Sequence, residues 1–274
     1  MSTQEFLTSV SLILFIMTVL AVVELALPMV TRRPARRGRH TANLGLTVLT
    51  LALNWGLTSA AAVLALALSL EAPGRMARLG VPMALQIVVG VAVLDFGFGY
   101  LAHRTMHMTP ILWRAHRVHH SDPFVDVTTT YRTHPIEGIW RFLFVIIPVW
   151  LLGVPATAVV IHRLLSAING LLEHANIRLW QPLDRALSLF WVTPHMHKVH
   201  HSRVAVETDS NYGNILSIFD RILRTFTPTD RAFSVTYGLD DADPVRTASL
   251  RGLLSMPFRT RESHGHAPIR EIPA

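Results

Sequence analysis

The chain has 274 residues, of which 50% are hydrophobic and only 16% charged, a composition too apolar for an ordinary soluble domain. The formal net charge is +7, but the densest basic segment, TRRPARRGRH at residues 31–40, has no interleaved aromatic residues and lies between apolar segments. We therefore expect it to flank a membrane and expect no nucleic-acid partner. The absence of cysteine excludes disulfides, thiolate metal sites and cysteine nucleophiles.

Three apolar segments, at residues 6–30, 42–70 and 81–100, are each long enough to cross about 30 Å of hydrocarbon as a helix. The first follows MSTQE, which has no basic residue, and it is longer than a signal peptide requires, so it is predicted to be a retained span. The loop at residues 31–40 has five arginines and the loop at residues 71–80 has two. The positive-inside rule then places the first loop, and the end of the third span, in the cytoplasm.

A fourth apolar region, residues 139–175, is too long for one span and contains the turn sequence GVP near its middle. It is predicted to be a helical hairpin that dips into the bilayer. The fold class is therefore an all-α integral membrane bundle, with residues 1–102 as spans. Residues 103–138 and 176–228 are predicted to form a cytoplasmic histidine-rich helical cap that holds a di-metal centre.

The end of the chain is predicted to contain one amphipathic helix and then a tail. Apolar residues recur at helical spacing over residues 215–226, with Asp220, Arg221 and Arg224 on the polar side. Such a helix packs on the rest of the protein or lies flat in the membrane interface. Residues 229–274 are polar and without clear periodicity, which is typical of a weakly ordered C-terminal tail.

Histidine is patterned in three segments, HRTMH at residues 103–107, HRVHH at residues 116–120 and HKVHH at residues 197–201. Residues at i, i+3 and i+4 share a helix face, so each segment is expected to point its imidazoles one way. Helix capping, isolated burial or pH sensing would explain single histidines, but not a repeated HxxHH pattern. With His174, the imidazoles exceed what one ion binds, so two metal ions are expected. The patterned candidate ligands are His103, His107, His116, His119, His120, His197, His200 and His201.

Acidic residues and two further histidines near these segments are candidates for supporting roles. Asp122 and Glu173 lie within a few residues of ligands and could orient imidazole N–H groups. Asp95 lies inside the third span, where an ionisable side chain is costly and therefore often functional. His134 and His195 lie close to the motifs but outside their spacing. Each either supports the metal ligands or has a purely structural role. The ligand type leaves zinc, copper, iron and nickel open.

Six segments, HRTMH, LWRAHRVHHSD, YRTHPIE, HAN, TPHMHKVHHS and NYGNILSIFDRILRTF, occur in the order found in the fatty acid hydroxylase/sterol desaturase superfamily. The chain resembles that superfamily over about residues 95–226. Its members are integral membrane enzymes that use a histidine-ligated di-iron centre and O2 to hydroxylate or desaturate lipids. The resemblance implies that the eight patterned histidines bind two iron ions, and it adds His174 as a ninth ligand. Gly170 departs from the superfamily pattern, because some members have a further histidine at this position.

The resemblance also implies a lipid substrate, which could be a sterol or hopanoid, a fatty acyl chain, a carotenoid or an alkylglycerol. No segment resembles a flavin, haem or nicotinamide domain, so electrons are expected from a separate reductase, ferredoxin or cytochrome. The alternatives are a di-zinc hydrolase and a membrane metal transporter or metal-binding scaffold. A transporter would place ligands in mid-span, whereas these histidines alternate with Arg104, Arg117 and Lys198, charges expected at the membrane interface.

Overall fold

The computed structural model describes residues 3–31 and 37–259. Within them the regular structure is helical apart from two isolated β-bridges, which confirms the all-α prediction. The α-helices are α1 (Thr3–Ala26), α2 (Arg39–Glu71), α3 (Arg75–Arg78), α4 (Met83–Leu94), α5 (Ala102–Met108), α6 (Pro110–His120), α7 (Pro135–Leu152), α8 (Ala156–His174), α9 (Gln181–Leu187), α10 (Pro194–His200), α11 (Ala205–Thr208), α12 (Ile218–Ile222) and α13 (Leu250–Ser255). A π-helical segment, Asp95–Leu101, joins α4 to α5.

Four helical segments of the described chain are long and apolar enough to cross a membrane: Phe6–Ala26, Arg39–Arg78, Met83–Met108 and Pro135–Leu152. Large apolar side chains are exposed along them, such as Phe15 and Val48, at 65% and 67%. A bilayer would cover these side chains, whereas water would penalise them. The protein is thus an integral membrane protein.

The predicted hairpin consists of α7 and α8, and α7 is itself long enough to be a fourth span. Gly153 makes the turn with a left-handed φ of +68°. A Cβ atom there would lie 2.4 Å from Cα of Gly74, so the close approach of the two backbones requires glycine. Because α8 returns toward the start of α7, the segment after it meets α5 and α6.

The predicted amphipathic helix at residues 215–226 is wrong in extent and in orientation. The helix has only five residues, Ile218–Ile222. Asp220 was placed on its polar side but is fully buried, where its carboxylate accepts hydrogen bonds from the backbone N–H groups of Tyr212 and Gly213, both at 2.8 Å. Ile222, in turn, is 69% exposed. The backbone donors of the preceding loop set the orientation of this helix more strongly than its apolar spacing does.

The C-terminal segment was expected to be a weakly ordered tail, and for residues 229–259 this is wrong. Leu253 of α13 is completely buried against Ala42 and Leu46 of α2 and Val118 of α6. Ala232 packs in the same way against Met29 and Val199. Residues 260–274 of the predicted tail lie outside the described residues.

Candidate metal centre

The nine predicted histidines converge where α5, α6, α10 and the end of α8 meet, and they form two groups. Within each group the candidate ligand atoms lie within 4.8 Å of one another. The five-histidine group consists of His103, His107, His116, His120 and His200. The four-histidine group consists of His119, His174, His197 and His201. All are buried except His107, which is partly so.

Neighbouring histidines in the HxxHH motifs belong to different groups, contrary to the expectation that each motif points one way. Consecutive residues on an α-helix are rotated by about 100°, so His119 and His120 diverge. Of the second motif, His116 and His120 join the five-histidine group and His119 joins the other. The third motif mirrors this arrangement. Each HxxHH motif therefore gives an i, i+4 pair to one group and a single ligand to the other, whereas both histidines of HRTMH join the five-histidine group, as expected.

The Nε2 atoms lie at the spacing of ligands around an ion. In the four-histidine group, Nε2 of His174 is 3.0 Å from Nε2 of His119, 3.0 Å from that of His197 and 3.3 Å from that of His201. Metal–nitrogen bonds of about 2.0–2.1 Å place adjacent octahedral or tetrahedral ligands about 2.8–3.4 Å apart. One imidazole cannot satisfy three others by hydrogen bonds, because each neutral ring has a single N–H.

Backbone carbonyls hold the outer nitrogens of three rings. Nδ1 of His103 is 2.8 Å from the carbonyl oxygen of Tyr212, and Nδ1 of His200 is 2.8 Å from that of Ser210. Nδ1 of His174 is 2.7 Å from the carbonyl oxygen of Gly170. A carbonyl only accepts, so each Nδ1 must carry the proton. The lone pair of Nε2 then points into the group, which is the tautomer that a metal requires.

Two carboxylates that sequence reasoning missed contact ligands of the five-histidine group. Oε2 of Glu137 is 2.9 Å from Nδ1 of His116, and Oδ1 of Asp209 is 3.2 Å from Nδ1 of His107. Carboxylate partners of this kind fix the ring orientation and raise ligand basicity. Glu137 belongs to the YRTHPIE segment and could have been singled out there, whereas Asp209 follows no motif.

Burial keeps these imidazoles neutral. For the ligands that lie outside the membrane-spanning segments, desolvation lowers the pKa, and nearby imidazoles lower it further because two adjacent rings resist joint protonation. These ligands are His116, His119, His120, His197, His200 and His201. A neutral ring is the form that binds a metal ion.

The three predicted acidic residues have different surroundings. Oε1 of Glu173 lies 3.7 Å from Nδ1 of His174 and 3.9 Å from Nε2 of His197, close to two ligands but beyond hydrogen-bond distance. Asp95 accepts hydrogen bonds from the backbone N–H groups of Ile215 and Leu216, at 3.2 and 2.9 Å. Asp95 therefore fastens the third span to the segment that follows the last histidine motif.

Asp122 contacts Arg39 and no imidazole of the described chain, which corrects the expectation that it orients a ligand. Nε and Nη2 of Arg39 donate to it at 2.6 and 2.9 Å, and Arg39 also pairs with Asp126 at 2.9 Å. Burial alone would raise the pKa of Asp122, but Arg39 and Arg132 hold it below its ordinary value. The sequence places Arg39 in the basic loop at residues 31–40, where exposure is expected, yet its side chain is only 2% exposed.

His134 and His195 hold backbone structure and belong to neither group. Nδ1 of His134 accepts from the N–H of Ile136 and caps α7, and its Nε2 lies 3.2 Å from the carbonyl oxygen of Leu254. Nε2 of His195 accepts from the N–H of Leu179 at 3.1 Å. Lys198, expected among charges at the membrane interface, is completely buried and donates to the carbonyls of Val125 and His174.

A cavity of about 450 Å³ runs between α1, α2, α7 and α8 and ends at the metal-binding groups. Four of the nine histidines line it, His103, His119, His174 and His197. Gly170 also lines the cavity, one helical turn before His174. Most of the remaining surface is apolar, so the cavity suits the hydrocarbon part of a lipid.

Paired buried imidazole groups beside an apolar cavity among membrane helices define a membrane protein with two candidate metal-binding groups. Residues 87–225 match the fatty acid hydroxylase family, and the chain belongs to this family. The matched segment begins in the third span and ends after the last histidine motif. No solved structure matches the chain.

Characterised relatives act on lipids. An ornithine lipid hydroxylase of Rhizobium tropici, OlsE, is 38% identical over 159 residues, which are 58% of this chain and 46% of that protein. The alkylglycerol monooxygenase of Xenopus tropicalis is 30% identical over 175 residues, 62% of this chain and 34% of that protein. The human alkylglycerol monooxygenase is 28% identical over 156 residues, with shares of 56% and 34%. The chain thus spans less than half the length of these relatives.

Proposed function

We propose that this protein is a membrane-bound, O2-dependent di-iron monooxygenase that hydroxylates a lipid. The single observation that carries the proposal is the pair of buried imidazole groups opening onto an apolar cavity between membrane helices. The family and the hydroxylase and monooxygenase relatives support oxidation of a lipid C–H bond, and they favour hydroxylation over desaturation.

In the proposed reaction one oxygen atom of O2 enters a C–H bond as a hydroxyl group and the other leaves as water. Two electrons and two protons come from outside, and a separate reductase, ferredoxin or cytochrome would supply the electrons. Bound iron would supply O2 activation, which no side chain can perform. We place the centre on the cytoplasmic side, where such donors are available, following the arginine distribution of the loops.

The chain would contribute ligand orientation, an open coordination position and a dry cavity. The nine histidines would hold the iron ions, and Glu137 and Asp209 would fix two of the rings. The four-histidine group faces the cavity and has Gly170 at the position of the further histidine of some relatives. Without a further protein ligand at Gly170, a metal ion held by these four histidines would leave room for O2 or substrate, as catalytic metal sites generally do.

O2-dependent turnover of the purified, iron-loaded chain tests this proposal. We expect an alkylglycerol or ornithine lipid, incubated with reductant and 18O2, to gain one 18O atom, and expect His119→Ala to abolish the reaction. His40→Ala, an exposed histidine outside both groups, should remain active. Oxygen-independent lipid cleavage would support a di-zinc hydrolase instead, and metal uptake into vesicles without lipid oxidation would support a transporter.

A further inference from the structure

The cavity contains an arginine that is not neutralised by any acid in the described chain. Both Arg141 of α7 and Arg163 of α8 line it. Arg141 donates to Oε1 of Glu137 at 3.0 Å and to the carbonyl oxygen of Phe98 at 2.9 Å. Arg163 has no hydrogen bond or ion pair within residues 3–31 and 37–259, and its guanidinium lies 4.3 Å from the centroid of the Phe98 ring.

An unpaired guanidinium among membrane helices is energetically costly, so it usually faces a substrate or ion path. The contact with Phe98 compensates part of this cost. Arg141 lies over the same ring, at 5.2 Å, but it pairs with Glu137. Glu173, the other acid that lines the cavity, makes no ion pair with Arg163 within the described residues. An anion entering the cavity would therefore find Arg163 without a partner.

Two further donors of the cavity lack partners. The hydroxyl group of Tyr131 and Nε1 of Trp55 are buried and have no hydrogen-bond partner in the described chain. Both residues line the cavity, and Tyr131 is close enough to Arg163 for each to influence the ionisation of the other. Buried donors normally have acceptors. A ligand with anionic oxygens would supply them.

We propose that Arg163, with Tyr131 and Trp55, binds an anionic oxygen group, a carboxylate or a phosphate, at the polar end of the lipid substrate. The inference rests on the proposed function and adds the chemical class of the substrate. A neutral alkylglycerol or sterol would leave the guanidinium unpaired.

The position of Arg163 also separates the anion from the reacting carbon. Arg163, Ala167, Gly170 and His174 are spaced by four, three and four residues and all line the cavity, so they follow one face of α8. Seven residues from Arg163 to Gly170 correspond to about 10 Å of helix. The C–H bond beside the four-histidine group therefore lies several bonds from the anionic group.

Binding measured without turnover tests the inference. The full iron-loaded chain in detergent, under argon, would be titrated with three lipids of equal chain length: an N-acyl amino acid, an alkyl phosphate and an alkylglycerol. Dissociation constants come from native mass spectrometry. The variants are Arg163→Gln, Arg163→Lys and, as matched control, Arg185→Gln, an exposed arginine that pairs with Asp230.

We expect Arg163→Gln to weaken binding of an anionic lipid about 10- to 100-fold, the loss of one charge-assisted hydrogen bond. Alkylglycerol binding should not change, which also shows that the variant is folded. Arg163→Lys should retain part of the affinity, and Arg185→Gln all of it. A loss confined to the carboxylate or to the phosphate lipid would support the inference and identify the anion.

Equal losses for all three lipids, or none, would overturn the inference. These outcomes differ from failure of the proposed function. If the chain prefers anionic lipids through Arg163 but neither retains iron nor inserts oxygen, the proposed anion site stands and the proposed monooxygenase function fails.

Discussion

Single residues decide which nitrogen of a ring points into its group. Spacing along the helices predicts eight of the histidines and the family resemblance adds His174, and all nine occur in the two groups. Spacing could not show that Glu137 contacts His116, because that contact joins α6 to α7. For the same reason it could not show that Asp122 is occupied by Arg39.

We predict that Glu137→Ala lowers the metal affinity of the centre by about 10- to 100-fold, because His116 loses the partner that orients it. Glu137→Gln should retain most of the affinity, since its amide oxygen still accepts from the ring. Competition with a chelator, followed by metal analysis, measures the effect. Arg141→Gln is the control, because it breaks the ion pair of Glu137 and leaves the imidazole contact. Equal metal loss in Glu137→Gln and Glu137→Ala would contradict an orienting role.

Gly170 gives a second prediction. A Cβ atom there would lie 3.4 Å from Cγ2 of Thr130, an ordinary contact, so Gly170→Ala should stay folded and active. Gly170→His should keep its metal but lose activity about 10- to 100-fold, as the added ring fills the space that the substrate and O2 need. Metal content and turnover are measured on the same samples. Undiminished turnover in Gly170→His would show that this space is not used.

At the scale of elements, the lengths of the apolar segments and the turn residues predicted the long helices. Tertiary hydrogen bonds could not be predicted from the sequence. The hairpin of α7 and α8 followed from the length of residues 139–175 and the GVP turn. The short helix at Ile218–Ile222 could not be predicted in this way, because the backbone N–H groups of Tyr212 and Gly213 hold the Asp220 side chain toward the interior. The buried tie between the start of α2 and the loop after α6 was also invisible in sequence, since Arg39 resembles a loop charge.

That tie carries a stability prediction. Asp122→Ala should destabilise the protein by about 3–5 kcal/mol, because it leaves the buried Arg39 with reduced compensation. The triple variant Arg39→Met, Asp122→Leu, Asp126→Asn should recover part of the loss, since it removes all three charges of the tie. Thermal unfolding in detergent gives the comparison, with Asp240→Ala as the exposed control. If Asp122→Ala is as stable as the control Asp240→Ala, the Arg39–Asp122 pair contributes nothing to stability.

In the whole molecule the α7–α8 hairpin returns the chain so that the histidines before and after it lie together. The cytoplasmic position of these histidines stays a prediction from the arginine distribution of the loops. Composition predicted the membrane part well because lipid selects for apolar side chains over whole helices. It failed for residues 229–259, where only a few apolar residues such as Leu253 pack into the fold.

The absence of cysteine allows the orientation to be tested with single introduced thiols. Asp240→Cys lies after the cap, at a position that pairs with Arg203 of the cap, and Leu79→Cys lies in the loop between the second and third spans. The native side chains are both 82% exposed. We expect a membrane-impermeant maleimide to label Leu79→Cys in intact cells and Asp240→Cys only after permeabilisation. The reverse pattern would place the metal centre on the opposite side.

The identity and number of the metals test the central claim most directly. Mössbauer spectroscopy of the purified chain, loaded anaerobically with 57Fe, should show two magnetically coupled irons per chain. His197→Ala, which removes one ligand of the four-histidine group, should lose the coupled pair, and His40→Ala should keep it. A single uncoupled iron, or zinc retained in preference to offered iron, would contradict the di-iron centre.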